Sequence, residues 1–242
     1  MKLHRVLITA QTASFRYPNF ISSNQLSIKA VPYTTIAGLV ASATGNEQLI
    51  DFKFSYIFRY QSSYVDLETI YKFKINKKGD SVDNRNVVQD PTFKREILFD
   101  CYLTLYFENW EIANSFKSPI FQLLLGRSGD FARVLEVKEI EVQQTDKVIL
   151  NGTIVPFAEY KSSGEIYAMP KYFDYSNLVR EPRKVQAFLI NDGIGNFLNR
   201  PKTTKEKFDL NNWKFQKRYN QISSNAVFDT ELHSPIILRN LC

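Results

Sequence analysis

Apolar and polar positions alternate, or run as β-branched and aromatic stretches, over His4–Phe15, Phe54–Tyr60, Ile97–Phe107 and Val134–Val142, which predicts four strands. Between the first two, Ile36, Leu39, Val40 and Ala43 recur at the spacing of one helical face. Thr34 stands where a side-chain N-cap is needed and Gly45 where a left-handed C-terminal cap is needed, so a helix is predicted over Thr35–Ala43. Its other positions, Ala37, Gly38, Ala41 and Ser42, are small and are expected to let the helix lie close on a sheet. A second apolar stretch predicts a helix over Ile112–Leu125, broken near Ser118 because Pro119 removes a donor and restricts the residue before it. The order strand, helix, strand, strand, helix, strand predicts an α+β fold of the ferredoxin-like, RRM-type βαββαβ arrangement.

Where a compact domain needs only a turn between the second and third strands, the chain carries an insertion over about 61–96. Its arms, Val65–Ile75 and Val87–Phe93, are β-like and its middle, Asn76 to Asp80, is turn-rich, so a β-hairpin is expected. After Asn151-Gly152 the pattern changes to short β-like runs, Thr153–Ala158, Glu165–Pro170 and Lys184–Ile190, divided by Gly, Pro and Asn. Two regions are expected, 1–150 and a smaller β-rich one over 151–242.

The chain has 242 residues, enough for a sizeable core, and its 44% hydrophobic and 23% charged content is that of an ordinary globular protein. No apolar run approaches the ~20 residues of a membrane helix. With no sustained apolar core and cleavage site near the N-terminus either, a cytoplasmic location is expected; Cys101 and Cys242 are too few for a disulfide framework and are expected to be reduced thiols, with Asn151-Gly152-Thr153 a turn and not a glycan site. The net charge of +6 is concentrated. From Tyr71 to Arg95, seven basic residues (Lys72, Lys74, Lys77, Lys78, Arg85, Lys94, Arg95) stand against three acidic ones, net +4. From Arg200 to Tyr219, seven stand against two, net +5. Two such patches suit a phosphate backbone, and lysines on hairpins also keep a surface soluble.

Catalytic constellations are missing. The two histidines, His4 and His233, lie near opposite ends without metal-ligand spacing. Gly126-Arg127-Ser128-Gly129-Asp130 lacks the last glycine of a nucleophile elbow, and no glycine cluster leads into the Lys-Ser or Lys-Thr of a P-loop. The turn Asn191-Asp192-Gly193-Ile194-Gly195-Asn196 is too short in its spacing for a dinucleotide fingerprint. The aromatic RNP1 pattern is absent, so stacking of bases across the sheet as in an ordinary RRM is not expected. No catalytic residue, metal or cofactor is predicted.

Three stretches carry a family likeness. The first is Phe15-Arg16-Tyr17-Pro18 followed by Val31-Pro32-Tyr33-Thr34-Thr35-Ile36-Ala37-Gly38-Leu39 and Gly45. The second is Arg95-Glu96-Ile97-Leu98-Phe99-Asp100, and the third is Leu125-Gly126-Arg127-Ser128, a loop whose amides and guanidinium suit a phosphate. In this order they resemble the Cas-five family of the RAMP superfamily, the subunit that holds the five-prime end of the guide RNA (crRNA) in type I CRISPR Cascade complexes, with a flavour of type I-B. The likeness covers roughly the first 135 residues.

The resemblance implies a role in antiviral defence or RNA-guided DNA targeting. It implies that Arg16 and Tyr17, at the end of the first strand, lie near Gly126, Arg127 and Ser128 and bind the crRNA five-prime handle. Arg59 is added to that set. The insertion becomes a thumb whose Lys72, Lys74, Lys77, Lys78 and Arg85 contact phosphates and which meets the neighbouring subunit. Implied partners are the Cascade backbone subunit, the Cascade large subunit, a separate processing endonuclease, and target DNA indirectly through the complex, with no membrane. One branch of the family cleaves precursor crRNA with a Tyr and an adjacent Lys and His. No Lys-His pair occurs in this chain, so the alternative of a metal-independent endoribonuclease would rest on Tyr17, His4 and a lysine. A third reading is a protein-interaction module without RNA.

Overall fold

A computed structural model describes residues 1–17, 24–69, 71–75, 82–89, 92–145, 147–148, 151–159, 164–176, 179–192, 220–221 and 226–242. In chain order the elements are β1 (Lys2–Ala13), β2 (Asn24–Gln25), α1 (Tyr33–Thr44), β3 (Lys53–Glu68), β4 (Tyr71–Ile75), β5 (Val82–Gln89), β6 (Phe93–Phe107), α2 (Trp110–Ser115) and β7 (Ala132–Gln144). Then follow β8 (Lys147–Val148), β9 (Thr153–Pro156), β10 (Glu165–Met169), β11 (Tyr172–Asp174), β12 (Glu181–Arg183), β13 (Gln186–Asn191), β14 (Asn220–Gln221), β15 (Ala226–Asp229), β16 (Ser234–Ile237) and β17 (Arg239–Asn240).

The fold is α+β and mostly antiparallel sheet. Its main sheet runs β16-β15-β7-β1-β6-β3-β17, and β2 adds to β6 in parallel. Alternation explains the register. Val6 pairs with Leu105 and Val137, and Leu105 with Tyr56. Ile8 pairs with Leu103 and Val134, and Leu103 with Phe58. All side chains of these two rows share one face, as a period of two demands.

Helix α1 covers that face with Ile36, Leu39, Val40 and Ala43, and α2 adds Ile112 and Ala113. Each fully buried Leu, Ile or Phe contributes about 1.5–3 kcal/mol. The sheet β10-β13-β9 closes the same core with Ile154, Met169, Phe188 and Ile190, so residues on both sides of position 150 share one apolar cluster. Tyr33 bridges them, its ring centroid 5.1 Å from Phe54 and 4.9 Å from Phe188.

On the opposite face, β15 and β16 pack Val227 and Ile236 on Leu3, Tyr106 and Ile140. They also bring buried Asp229 to Arg5 (3.1 Å) and to the Tyr106 hydroxyl (3.0 Å). Further along β1 this face is left exposed to half-buried.

The predicted helices need correction. α1 is capped by Pro32 and not by Thr34: the ring holds Pro32 extended (φ −60°, ψ 148°) and its carbonyl accepts from the amides of Thr35 and Ile36. Gly45 is the left-handed cap, φ 71°, its amide bonded to Ala41 O. Of the small residues only Ala37 also packs against the core. The core takes the larger apolar side of the helix, and Ala37, Gly38, Ala41 and Ser42 line a groove of about 630 Å³ with Phe121, Tyr172, Phe173 and Tyr175. α2 ends at Ser115, several residues before Pro119, and the apolar stretch to Leu125 continues as irregular chain. Among the described residues no helix is long and apolar enough to cross a membrane.

Candidate functional site

The first and third motif stretches meet. β1 ends at Ala13, and the amide of Ser14 donates to Leu125 O at 3.2 Å while its hydroxyl donates to Glu96 O at 3.0 Å. Gly126 then lies directly on the Ser14 backbone. Its φ is 117°, and a Cβ there would stand 2.1 Å from Ser14 O. Only glycine fits both the conformation and the approach. Beyond Ser14 the corner is fastened by Phe15 N to Ser27 Oγ (3.0 Å) and Ile28 N to Phe15 O (2.7 Å), and Arg16 bridges Ser27 with its side chain exposed.

The glycine loop is organised by a carboxylate. Asp130, its side chain fully buried, accepts from the Arg127 amide (2.9 Å), Arg127 Nε (3.1 Å), Arg127 Nη2 (2.9 Å) and Thr12 Oγ1 (2.6 Å). Arg127 Nη1 reaches Glu68 Oε1 at 2.9 Å, and Arg95 Nε reaches Glu68 Oε2 at 2.7 Å. Burial alone would raise both carboxyls. The bonds from Arg127 and Thr12 outweigh it at Asp130, those from Arg95 and Arg127 outweigh it at Glu68, and both are held below their ordinary values. The Arg127 guanidinium is raised, first by its bonds to Asp130. One network therefore ties β1, the glycine loop, the last residue of β3 and the early part of β6.

That last residue lies inside the insertion, at the end of a ribbon from which the hairpin β4–β5 continues. β3 and β6 continue beyond the core as a paired ribbon, in register from Ser62↔Phe99 to Glu68↔Phe93, and β4 and β5 pair antiparallel beyond it. Lys72 and Lys74 lie on β4 and Arg85 on β5. Their side chains, together with Lys77 and Lys78, lie outside the described residues, as do the basic stretch 200–219 and the turn from residue 193 onward.

The remaining predicted site residues divide. Arg127 faces partly outward, with 27% of its side chain exposed, but its amide and three of its nitrogens already have partners, so that amide is not open to a phosphate. Ser128 is exposed. Tyr17 is not a surface ring: it is 3% exposed, its centroid lies 4.5 Å from that of Tyr167, and its hydroxyl donates to Glu165 at 2.6 Å. Burial, then that bond, pushes its hydroxyl pKa well up. The small C-terminal sheet covers the ring. Arg59 sits apart, exposed on the open face of the main sheet.

His4 packs its ring on Trp110 near the far end of β1, roughly 30 Å of strand from the Tyr17 corner, so the Tyr17–His4 pair of the alternative reading is not assembled. Among the described residues no group of acidic, His or Cys side chains could hold a metal.

Glu68 and Asp130 were not anticipated. Asp130 stood three residues after Arg127 in a turn-like Gly-Arg-Ser-Gly-Asp run, a spacing that suits side-chain-to-amide bonding. Glu68 carried no local signal.

No family model and no curated protein matches this chain. Among solved structures, a chain of the type III-B Cmr-beta cryo-EM structure with cognate target RNA is similar over 98% of this chain and 99% of its own, at 12% identity and TM-score 0.51. A CRISPR protein from Archaeoglobus fulgidus is similar over 99% and 100%, at 12% identity and TM-score 0.44. A chain of a CRISPR RNA-guided surveillance complex is similar over 77% and 90%, at 16% identity and TM-score 0.45. By its fold, an α+β chain dominated by antiparallel sheet, this protein is similar to the chain of the Cmr-beta structure.

Proposed function

We propose that this protein is a non-catalytic RNA-binding subunit of a type I CRISPR Cascade complex, of the Cas-five family and type I-B flavour, which holds the five-prime handle of the crRNA. The observation that carries the reading is the seating of Gly126 on Ser14, with Arg127 joined through Glu68 to the end of the ribbon from which β4–β5 continues. It puts the corner, the glycine loop and the insertion, three elements far apart in sequence, at one place. The fold shared with the Cmr-beta chain supports it.

In this reading β1, α1, β3, β6, α2 and β7 form the ferredoxin-like core, whose strand order β7-β1-β6-β3 suits it, and β4–β5 is the thumb. Exposed Arg16 and the outward edge of Arg127 contact handle phosphates, and Ser128 adds a hydroxyl. The thumb meets the Cascade backbone subunit and caps its filament, the large subunit docks nearby, and target DNA is reached through the complex.

The test is a titration of the protein, co-expressed with its neighbours if insoluble, against RNA bearing the repeat-derived handle and against a scrambled control, with products run on a denaturing gel. Handle-dependent binding with intact RNA is expected. Cleaved RNA would replace this reading with a nuclease, and equal binding of both RNAs would remove the handle assignment.

A further inference from the structure

On the exposed part of the main sheet's second face, Arg59, Tyr102, Thr9 and Arg133 stand in one cross-strand row. The register is direct: Arg59 pairs with Tyr102, Tyr102 with Thr9, and Thr9 with Arg133. Their chain neighbours Phe58, Tyr60, Cys101, Leu103, Ile8, Ala10 and Ala132 are buried in the core, so all four side chains share the opposite face. Three strand spacings of ~4.8 Å put the two arginines ~14 Å apart, about four stacked nucleotide steps.

Both residues are exposed, and neither makes an ion pair or side-chain hydrogen bond with a described residue, while partial burial of the Arg59 side chain holds its guanidinium below the ordinary value. Their situation contrasts with that of Arg5, Arg95 and Arg127, each of which is held by carboxylates. The acidic side chains nearby are Glu136, which is paired with Arg5, and Asp100. Asp100 precedes Tyr102 by two residues on β6, where the strand adopts a left-handed residue (φ 51°) and the pairings with β1 and β3 pass from Cys101 to Phe99. Such a residue is held against its preference by its surroundings. The row thus offers two guanidinium groups that no described carboxylate pairs, with a half-buried tyrosine between them.

We infer that this row is a second polynucleotide surface, which takes a single-stranded segment by its phosphates and is separate from the corner and glycine loop. Charge complementarity selects the occupant: two exposed arginines that no described carboxylate pairs suit a phosphodiester chain. The surface would not read sequence, so its contribution is the same for handle and scrambled RNA.

The test is fluorescence anisotropy of the full chain with a labelled oligouridylate and with handle RNA over a salt series, comparing wild type, R59A/R133A and the charge-retaining R59K/R133K. The expected result for the alanine pair is about tenfold or more weaker binding of both RNAs near 0.1 M salt. The slope of log K against log salt becomes shallower by about 1.4. The handle preference is kept, and the lysine pair falls between. Since both positions are exposed, the urea midpoint is expected to stay near that of wild type. Unchanged affinity and slope in the alanine pair overturn the inference while leaving the handle reading intact. Loss of handle preference without a uniform loss also overturns it. Loss of association with a protein neighbour at unchanged RNA affinity assigns the face to protein instead. If the wild type binds no polynucleotide, this inference and the handle reading both fall.

Discussion

The seating of Gly126 can be tested by one methyl group. In Gly126→Ala the new Cβ points at Ser14 O from 2.1 Å, and the atom in its way is backbone, which cannot rotate aside. Two terms add. An alanine at φ 117° is strained by about 1–3 kcal/mol. Pushing the segments apart also breaks the 3.2 Å bond from Ser14 N to Leu125 O, which contributes about 0.5–1.5 kcal/mol. The expected loss is about 2–4 kcal/mol, read as a fall of about 1–2 M in the urea midpoint at an unchanged slope. Gly129→Ala is the internal control. Nothing lies within 4 Å of a Cβ built there, so its change is expected to stay within about 0.5 kcal/mol. Handle RNA titrated under folding conditions should bind the Gly126 variant more weakly and the Gly129 variant as wild type. A Gly126 variant as stable as wild type would refute the close contact, and with it the argument that the corner and loop form one site.

Asp130→Asn removes the charge that organises the loop and is expected to destabilise by about 2–4 kcal/mol at pH 7, because it leaves Arg127 underpaired beside a buried amide. Since Asp130 and Glu68 are both lowered on folding, their stabilisation is full above the ordinary carboxylate range and is lost as pH falls from there through the folded values. The gap in urea midpoint between wild type and Asp130→Asn should therefore narrow on acidification. Arg127→Ala should weaken handle binding by ~1–3 kcal/mol, and Arg127→Lys, which keeps the charge without the fork, should recover part of it in the same titration. Tyr17→Phe should cost about 1 kcal/mol of stability through the lost bond to Glu165 while leaving RNA affinity unchanged, since the ring is buried. Gly38→Ala should raise stability by about 0.5–1 kcal/mol in thermal or urea unfolding, because the position is helical, exposed and has space for a Cβ.

The sequence by itself determined the local matters. Period-two alternation marked the four long strands, because a side chain's face in a strand depends only on its neighbours' parity. The spacing of Ile36, Leu39, Val40 and Ala43 marked α1 and its buried side, and Gly45 marked its end, because the left-handed cap is a property of one residue. The β-like arms around a polar turn marked a hairpin, but not its bounds: the first arm divides between β3 and β4, and β5 begins at Val82, before the second arm. Other features waited for tertiary structure. That Gly38, Ala41 and Ser42 line the outer groove was decided by competition between two sides of one helix for the core, and the larger apolar side won. That Tyr17 is covered depended on Tyr167 and Glu165, nearly 150 residues on. Arg127 read as a free guanidinium because its distant partner Glu68 shares no local pattern with it, and only the pairing of β3 with β6 brings Arg95 and Glu68 to the loop. The row Arg59, Tyr102, Thr9 and Arg133 exists only in the register of four strands. Alternation assigns each residue its face, but pairing between distant strands decides which charges become neighbours.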